Sequence, residues 1–116
     1  MNVYDLYGEI YELLLGYYDN KVEINIKSFT NYLHLINQNH HRTSTSKISI
    51  QYTYHDVNSA GMCALIIKFV SHSRYLVADM GRIILYFEYT NGRNAKIITV
   101  RSECSGYDKK KNNQNA

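Results

Sequence analysis

The chain has 116 residues, of which 45% are hydrophobic and 20% are charged, and its formal net charge is +3. This size and composition are typical of one globular domain, and they exclude a membrane-spanning helix, because no apolar run approaches the ~18 residues that a span requires. The first residues lack the basic and then apolar pattern of a signal peptide, so the sequence predicts a cytoplasmic location.

Two features of the composition bear on function. Asn, Ile, Tyr and Lys make up 44 of the 116 residues, and there is no proline. Because the codons of these four residues are A/T-rich, a low-GC genome and an interaction surface are alternative explanations of the 12 tyrosines. The charge is also uneven, since residues 1–30 carry −3 and residues 31–116 carry +6. Such a split can steer a partner, drive self-association or maintain solubility.

Apolar residues recur at intervals of three and four over residues 3–15, which predicts an amphipathic helix that ends at Gly16. The outer face of this helix carries Asp5, Glu9 and Glu12, which we call the acidic face. A second stripe between the acidic face and the core consists of Tyr4, Gly8, Tyr11 and Leu15. This stripe either enlarges the core or docks on a partner.

The period of the pattern changes in the next segment. Strict alternation from Lys21 to Lys27 predicts a half-buried strand. Helical spacing then predicts a second helix over Ser28–Gln38, with Ser28 or Thr30 as its N-cap. The polar stretch Asn37–Ser46 is predicted to be a long loop.

Strand patterns follow from residue 47. Lys47–His55 alternates strictly, which predicts a strand. Its inward residues are Ile48, Ile50, Tyr52 and Tyr54. Met62–Val70 is almost entirely apolar and is predicted to be a central strand covered on both faces.

The end of the sequence predicts a hairpin. Tyr75–Ala78 reads as a short strand, and a tight connection follows at Asp79–Gly81. Two β-branched and aromatic runs within Arg82–Arg101 then flank Asn91-Gly92, which predicts a type I′ turn.

Together these elements predict an α+β fold with two layers. An antiparallel β-meander of four to six strands would carry both helices packed on one face. This single domain is expected to occupy residues 1–107, and residues 108–116 form a basic polar tail.

Catalytic and metal-binding patterns do not emerge from the sequence. Zinc sites need histidines and cysteines at fixed spacings, and His34, His40 and His41 do not match them. Asp79 and Glu88 could approach each other across the Gly81 connection, but nothing indicates a pocket around them. We therefore predict a chain that is not an enzyme and that holds no cofactor or metal.

Protein binding is the favoured class, because Tyr and Arg are the usual hot-spot residues of interfaces. The residues predicted to contact a partner are Tyr4, Asp5, Glu9, Tyr11, Glu12, Tyr18, Tyr86, Tyr89 and Arg93. A homodimer could form through the second stripe of the first helix or through an edge strand, either Lys21–Lys27 or Ala95–Arg101.

Nucleic-acid binding is the alternative, because tyrosines beside basic residues on a sheet can stack on bases and hold phosphates. Its candidate residues are Arg42, Lys47, Arg82, Arg93, Lys96, Lys109, Lys110 and Lys111. The interleaved acidic residues and the modest net charge count against it.

In size and composition the chain resembles the small accessory proteins of phages and mobile elements, which include anti-CRISPR inhibitors of host defence. The resemblance involves no residue motif. It implies occlusion of a host nuclease or another nucleic-acid-binding protein, in which the acidic face could meet a basic groove. The positive net charge argues against a mimic of DNA.

Overall fold

The computed structural model describes residues 3–43, 47–72 and 76–104 of the chain. In chain order the elements are α1 (Val3–Asp19), β1 (Ile24–Asn25), α2 (Ile26–Thr43), β2 (Lys47–Asp56), β3 (Met62–His72), β4 (Val77–Asn91) and β5 (Asn94–Glu103). The strands form one sheet in the order β1-β5-β4-β3-β2, and every neighbouring pair is antiparallel. The predicted α+β fold with an antiparallel meander is confirmed.

Both helices pack on one face of the sheet. The core joins Leu6, Ile10 and Leu14 of α1 and Phe29 and Leu33 of α2 to one face of the central strands. On β3 and β4 the side chains in this core are those with odd numbers: Cys63, Leu65, Ile67, Phe69, Ile83, Leu85 and Phe87. Because successive side chains alternate across a strand, the even-numbered residues point to the opposite face, which we call the open face.

Tyr7 fastens α1 to this core. Its ring is buried and lies edge-on to Phe69, with centroids 4.9 Å apart. The Tyr7 hydroxyl donates to the Arg82 carbonyl oxygen at 3.0 Å and lies 2.5 Å from the Ser102 hydroxyl oxygen. One side chain therefore connects α1 to both β4 and β5.

The end of α1 differs from the prediction. The helix continues through Gly16 to Asp19, and Lys21 takes the left-handed conformation that terminates it, with φ 54. The Lys21 N–H donates to the Tyr18 carbonyl and the Val22 N–H donates to the Tyr17 carbonyl, which is the bonding pattern of a Schellman cap. A lysine thus has the role that the sequence pattern assigned to Gly16.

The predicted strand Lys21–Lys27 is mostly wrong, because only Ile24–Asn25 is a strand. Asn25 ends it by capping α2: its side-chain oxygen accepts from the Ser28 N–H at 2.9 Å. The predicted N-caps Ser28 and Thr30 consequently lie inside the helix. The predicted loop Asn37–Ser46 is also wrong for most of its length, since α2 continues to Thr43.

β4 is one strand of 15 residues, so the predicted connection at Asp79–Gly81 is wrong. Gly81 does take a positive φ of 137, but at an irregularity where Phe69 pairs with Gly81 and Val70 with Asp79. The hairpin after β4 is confirmed, although its loop is Gly92-Arg93. Only Gly92 has a positive φ there, and a type I′ turn needs two such residues, so that turn type is wrong.

Candidate functional site

The described part of the chain contains no group of three or more His, Cys, Asp and Glu side chains placed to hold a metal ion. Asp79 and Glu88 do not approach each other as expected, because both lie on β4 and pair with opposite ends of β3, at Val70 and Met62. Neither described helix is long and apolar enough to cross a membrane.

The acidic face is exposed on α1, as its spacing predicts. Tyr4 and Tyr11 are half-buried and pack against the core, so the second stripe contributes to the interior. Burial raises the pKa of Tyr32 on α2, and the negative charge of Glu9 raises it further, which places the acidic face beside α2. Tyr18 is exposed at the far end of α1.

Most charged side chains on the open face have a neighbour of opposite sign, although Lys68 and Arg82 are cross-strand neighbours. Lys68 lies 3.5 Å from Asp79, and both Arg82 and Arg101 pair with Glu103. The hydrogen bond from Arg82 to Glu103 raises the pKa of the Arg82 guanidinium.

The remaining pair on this face follows the same rule, since Lys96 is the cross-strand neighbour of Glu88. Half-buried Tyr86 lies between these pairs. The open face is therefore a mixed surface, with acids beside most of its bases, and it is not a continuous basic stripe.

The residues predicted to bind nucleic acid are dispersed. Arg82 and Lys96 lie on the open face, whereas exposed Arg93 lies in the hairpin loop. The side chains of Arg42 and Lys47, and all of Lys109, Lys110 and Lys111, lie outside the described residues. The predicted partner-binding residues are divided as well, among α1, the open face (Tyr86) and the end of β4 (Tyr89, with the nearby Arg93).

A groove follows the end of α1 in two parts: one of about 600 Å³ lies against β5, and one of about 540 Å³ lies against β1 and the start of α2. Tyr17, Val22 and Glu23 line both parts. β1 pairs only with Ala95 and Asn94, so the first part of the groove borders residues of β5 that β1 does not cover.

Three tyrosines are exposed on the helix-bearing face, beyond the area that the helices cover. Tyr52, Tyr54 and Tyr89 are 43%, 45% and 44% exposed, and we call them the aromatic corner. Buried Phe87 forms its floor, since its ring centroid lies 6.0 Å from that of Tyr54 and 5.4 Å from that of Tyr89. Tyr52 and Tyr54 therefore lie on the face of the sheet that was predicted for them, but they are exposed and not buried.

Tyr54 is held in place within the aromatic corner. Its hydroxyl donates to the Cys63 sulfur at 3.0 Å. This bond, partial desolvation and the neighbouring Tyr89 hydroxyl all raise the pKa of Tyr54 above its ordinary value. The Tyr54 ring is thus held between Cys63 and Phe87, with its polar tip bonded and one ring face available.

The aromatic corner borders the outer edge of β2, the last strand of the sheet. The Ile50 N–H donates to the Asn37 side-chain oxygen at 2.9 Å and so points away from β3. Backbone groups alternate along a strand, so those of Tyr52, Tyr54 and Asp56 point outward too. No described residue pairs with these outward groups, and we call Tyr52–Asp56 the free edge.

No protein-family model, curated protein or solved structure matches this chain.

The sequence pattern identified neither the free edge nor the exposure of Tyr52. One signal was present: the inward side chains of β2 change from Ile48 and Ile50 to Tyr52 and Tyr54. Tyrosine has an apolar ring and a polar tip, so it tolerates half exposure, whereas isoleucine indicates burial.

Proposed function

We propose that this chain is a non-catalytic protein-binding module that occludes a surface of its partner. The observation that supports the proposal most strongly is the aromatic corner beside the free edge. Together they offer backbone donors and acceptors that no described residue occupies, next to exposed tyrosines.

These two features match a known mode of recognition, in which an extended segment of a partner adds to an exposed sheet edge. Backbone hydrogen bonds supply affinity in that mode, and side-chain contacts supply specificity. Tyr52, Tyr54 and Tyr89 would supply those contacts, and tyrosine is enriched among residues that dominate binding energy. Of the residues predicted from sequence, this site includes Tyr89.

The acidic face remains a predicted contact for a basic partner. Asp5, Glu9 and Glu12 are exposed along α1, so they can accelerate the approach of a positively charged protein. The finer form of this proposal is that the chain is a small phage or mobile-element inhibitor of a host nuclease or defence protein. It is supported by the size and composition of the chain alone.

Nucleic-acid binding is less well supported by the open face. Its bases Arg82, Arg101 and Lys68 have acidic neighbours, which would repel phosphates. Tyr86 and Lys96, which both lie on the open face, are the features that would favour this alternative. The alternative predicts retention of DNA or RNA that weakens steeply as the salt concentration rises.

The experiment compares three immobilised baits in a lysate treated with nuclease. The baits are the wild type, the corner variant Tyr52→Ser/Tyr89→Ser, and the control Val22→Ser. Val22 is exposed to a similar extent, at 47%, and precedes β1 at the opposite edge of the sheet. Quantitative mass spectrometry then measures what each bait retains.

We expect proteins retained by the wild type and the Val22 control to be lost from the corner variant. Two interface tyrosines together contribute at least about tenfold in affinity, so the loss should be readily measured. Equal retention by all three baits would contradict the proposed site. If a lysate that has not been treated with nuclease yields only nucleic acid on the baits, and if this retention weakens as salt is added, the nucleic-acid alternative is supported.

A further inference from the structure

β2 lacks the features that normally prevent an edge strand from pairing. It carries no proline, and its ten residues pair with β3 without an irregularity. Between Tyr52 and Asp56 it has no lysine or arginine. At the opposite edge β1 covers only Asn94 and Ala95, so the rest of β5 is a second edge, but that edge carries Lys96 and Arg101, charges of the kind that discourage pairing.

Part of β2 is nevertheless protected. The Asn37 side chain of α2 occupies the Ile50 N–H, which leaves Tyr52–Asp56 as the free edge. An unprotected edge of this kind is a template for pairing with another copy of the same strand. We infer that β2 of a second copy completes this edge; the inference rests on the proposed function and names the partner of the same site.

The free edge specifies its own register. Two antiparallel copies can cover Tyr52–Asp56 completely only if the twofold axis passes beside Tyr54. Tyr54 then faces Tyr54 of the second copy, and Tyr52 faces Asp56 of the second copy. Each such pair exchanges two backbone hydrogen bonds, which gives about six across the interface. Pairing ends before Ile50, whose N–H is already bonded.

The side chains agree with this register. Asp56 is the only formally charged residue of the free edge. In this register it faces Tyr52 of the second copy, so the two Asp56 carboxylates do not face and repel each other. A twofold axis that relates antiparallel strands is perpendicular to the sheet, so both aromatic corners lie on the same face. The two corners become contiguous, and Tyr54 of each copy gains an aromatic cross-strand neighbour.

The pairing is short, so the dimer should be weak. A contact of five residues per copy plus the tyrosine rings buries less than the ~1,200 Å² that stable complexes need. The dimer should therefore dissociate on dilution and leave the edge available to another protein at low concentration.

The test is sedimentation velocity of the full chain between about 1 µM and about 1 mM, with two variants at one position. Tyr52→Ala removes the ring and keeps the outward N–H. Tyr52→Pro removes the same ring and also the N–H, without loss of a bond to β3. Circular dichroism establishes that both variants are folded.

We expect reversible dimerisation of the wild type. Tyr52→Pro should dimerise at least about tenfold more weakly than Tyr52→Ala, because two symmetric backbone bonds are lost. A wild type that stays monomeric throughout this range overturns the inference. Equal dimerisation of the two variants overturns pairing through this edge.

These results separate the inference from the proposed function. A monomeric wild type whose captured partner is lost from the corner variant refutes only the homodimer. A dimer that depends on the Tyr52 N–H, with identical capture by the corner variant and the Val22 control, refutes only the binding of another protein.

Discussion

Removal of a single hydroxyl group, in Tyr7→Phe, should measure how firmly α1 is held on the sheet. The variant keeps the buried ring and its edge-on contact with Phe69. It removes the atom that donates to the Arg82 carbonyl and lies 2.5 Å from the Ser102 hydroxyl. Both sites are partly buried, so water replaces the lost partner incompletely.

The size of the effect follows from those two contacts. A hydrogen bond contributes about 0.5–1.5 kcal/mol net, and a buried group left without a partner costs about 1–3 kcal/mol. We expect the free energy of unfolding to fall by about 2 kcal/mol. With a urea m-value of about 2 kcal/mol/M, the unfolding midpoint should fall by about 1 M.

Two comparisons make this prediction strict. Tyr18→Phe on the same helix should change the free energy of unfolding by less than about 0.5 kcal/mol, because Tyr18 is exposed. Tyr7→Phe/Ser102→Ala should be no less stable than Tyr7→Phe, because the second change removes the unpartnered hydroxyl. A loss of less than about 0.5 kcal/mol in Tyr7→Phe would refute the reasoning.

Three further predictions concern a close approach, a titration and the open face. Gly81→Ala should lower the free energy of unfolding in urea more than Gly92→Ala does, because both glycines have positive φ but only a Cβ at Gly81 would lie 2.6 Å from the Cys104 Cβ, whereas Gly92 has open space. Equal losses of stability would contradict this close contact. The pKa of the Tyr54 hydroxyl is raised in the folded state. The stability that the protonated hydroxyl contributes is therefore fully present below the unfolded-state pKa of about 10, and it is lost progressively as the pH rises from there toward the folded-state pKa. Urea unfolding at pH values of about 8 and about 10.5 should therefore show a smaller alkaline loss for Tyr54→Phe than for the wild type, and equal losses would count against the raised pKa. Lys96→Glu should leave oligonucleotide binding unchanged in a fluorescence titration, and a weaker, salt-dependent isotherm would favour the nucleic-acid alternative.

The elements that the sequence predicted well are those in which one pattern has one structural explanation. The i, i+4 and i+8 spacing of Leu6, Ile10 and Leu14 is typical of an amphipathic helix, and these residues are buried. The apolar run of β3 predicted a central strand, and β3 pairs with β2 and β4. The predicted cover on both of its faces is only partial, because on the open face Ile66 is half-buried and Lys68 is exposed.

The second helix was predicted too short at its start because a strand-like alternation of side chains overlaps with the residue that caps the helix. Ile24 and Ile26 alternate as in a strand, yet Ile26 is the first residue of α2 and is buried as part of it. The hydrogen bond that the Ser28 N–H donates to the Asn25 side-chain oxygen favours the helix over the strand. At the other end, polar residues such as Asn37 indicated a loop, but a long helix needs only one apolar face.

The candidate site depended on information that lies outside β2 itself. Alternation correctly assigned Tyr52 and Tyr54 to the face that bears the helices. Their exposure is decided by which part of that face the helices cover. The free edge is likewise a property of strand order, which places β2 last in the sheet. The spacing of residues within β2 predicts neither the area that the helices cover nor the order of the strands.

Amide hydrogen exchange of β2, followed residue by residue by NMR, tests the claim that the free edge is where this protein binds. In dilute protein the outward amides of Tyr52, Tyr54 and Asp56 should exchange rapidly, while those of Thr53 and His55 stay protected by β3. Formation of the complex, by concentration or by addition of a captured partner, should protect the three outward amides. Rapid exchange of those amides in a fully formed complex would contradict the claim.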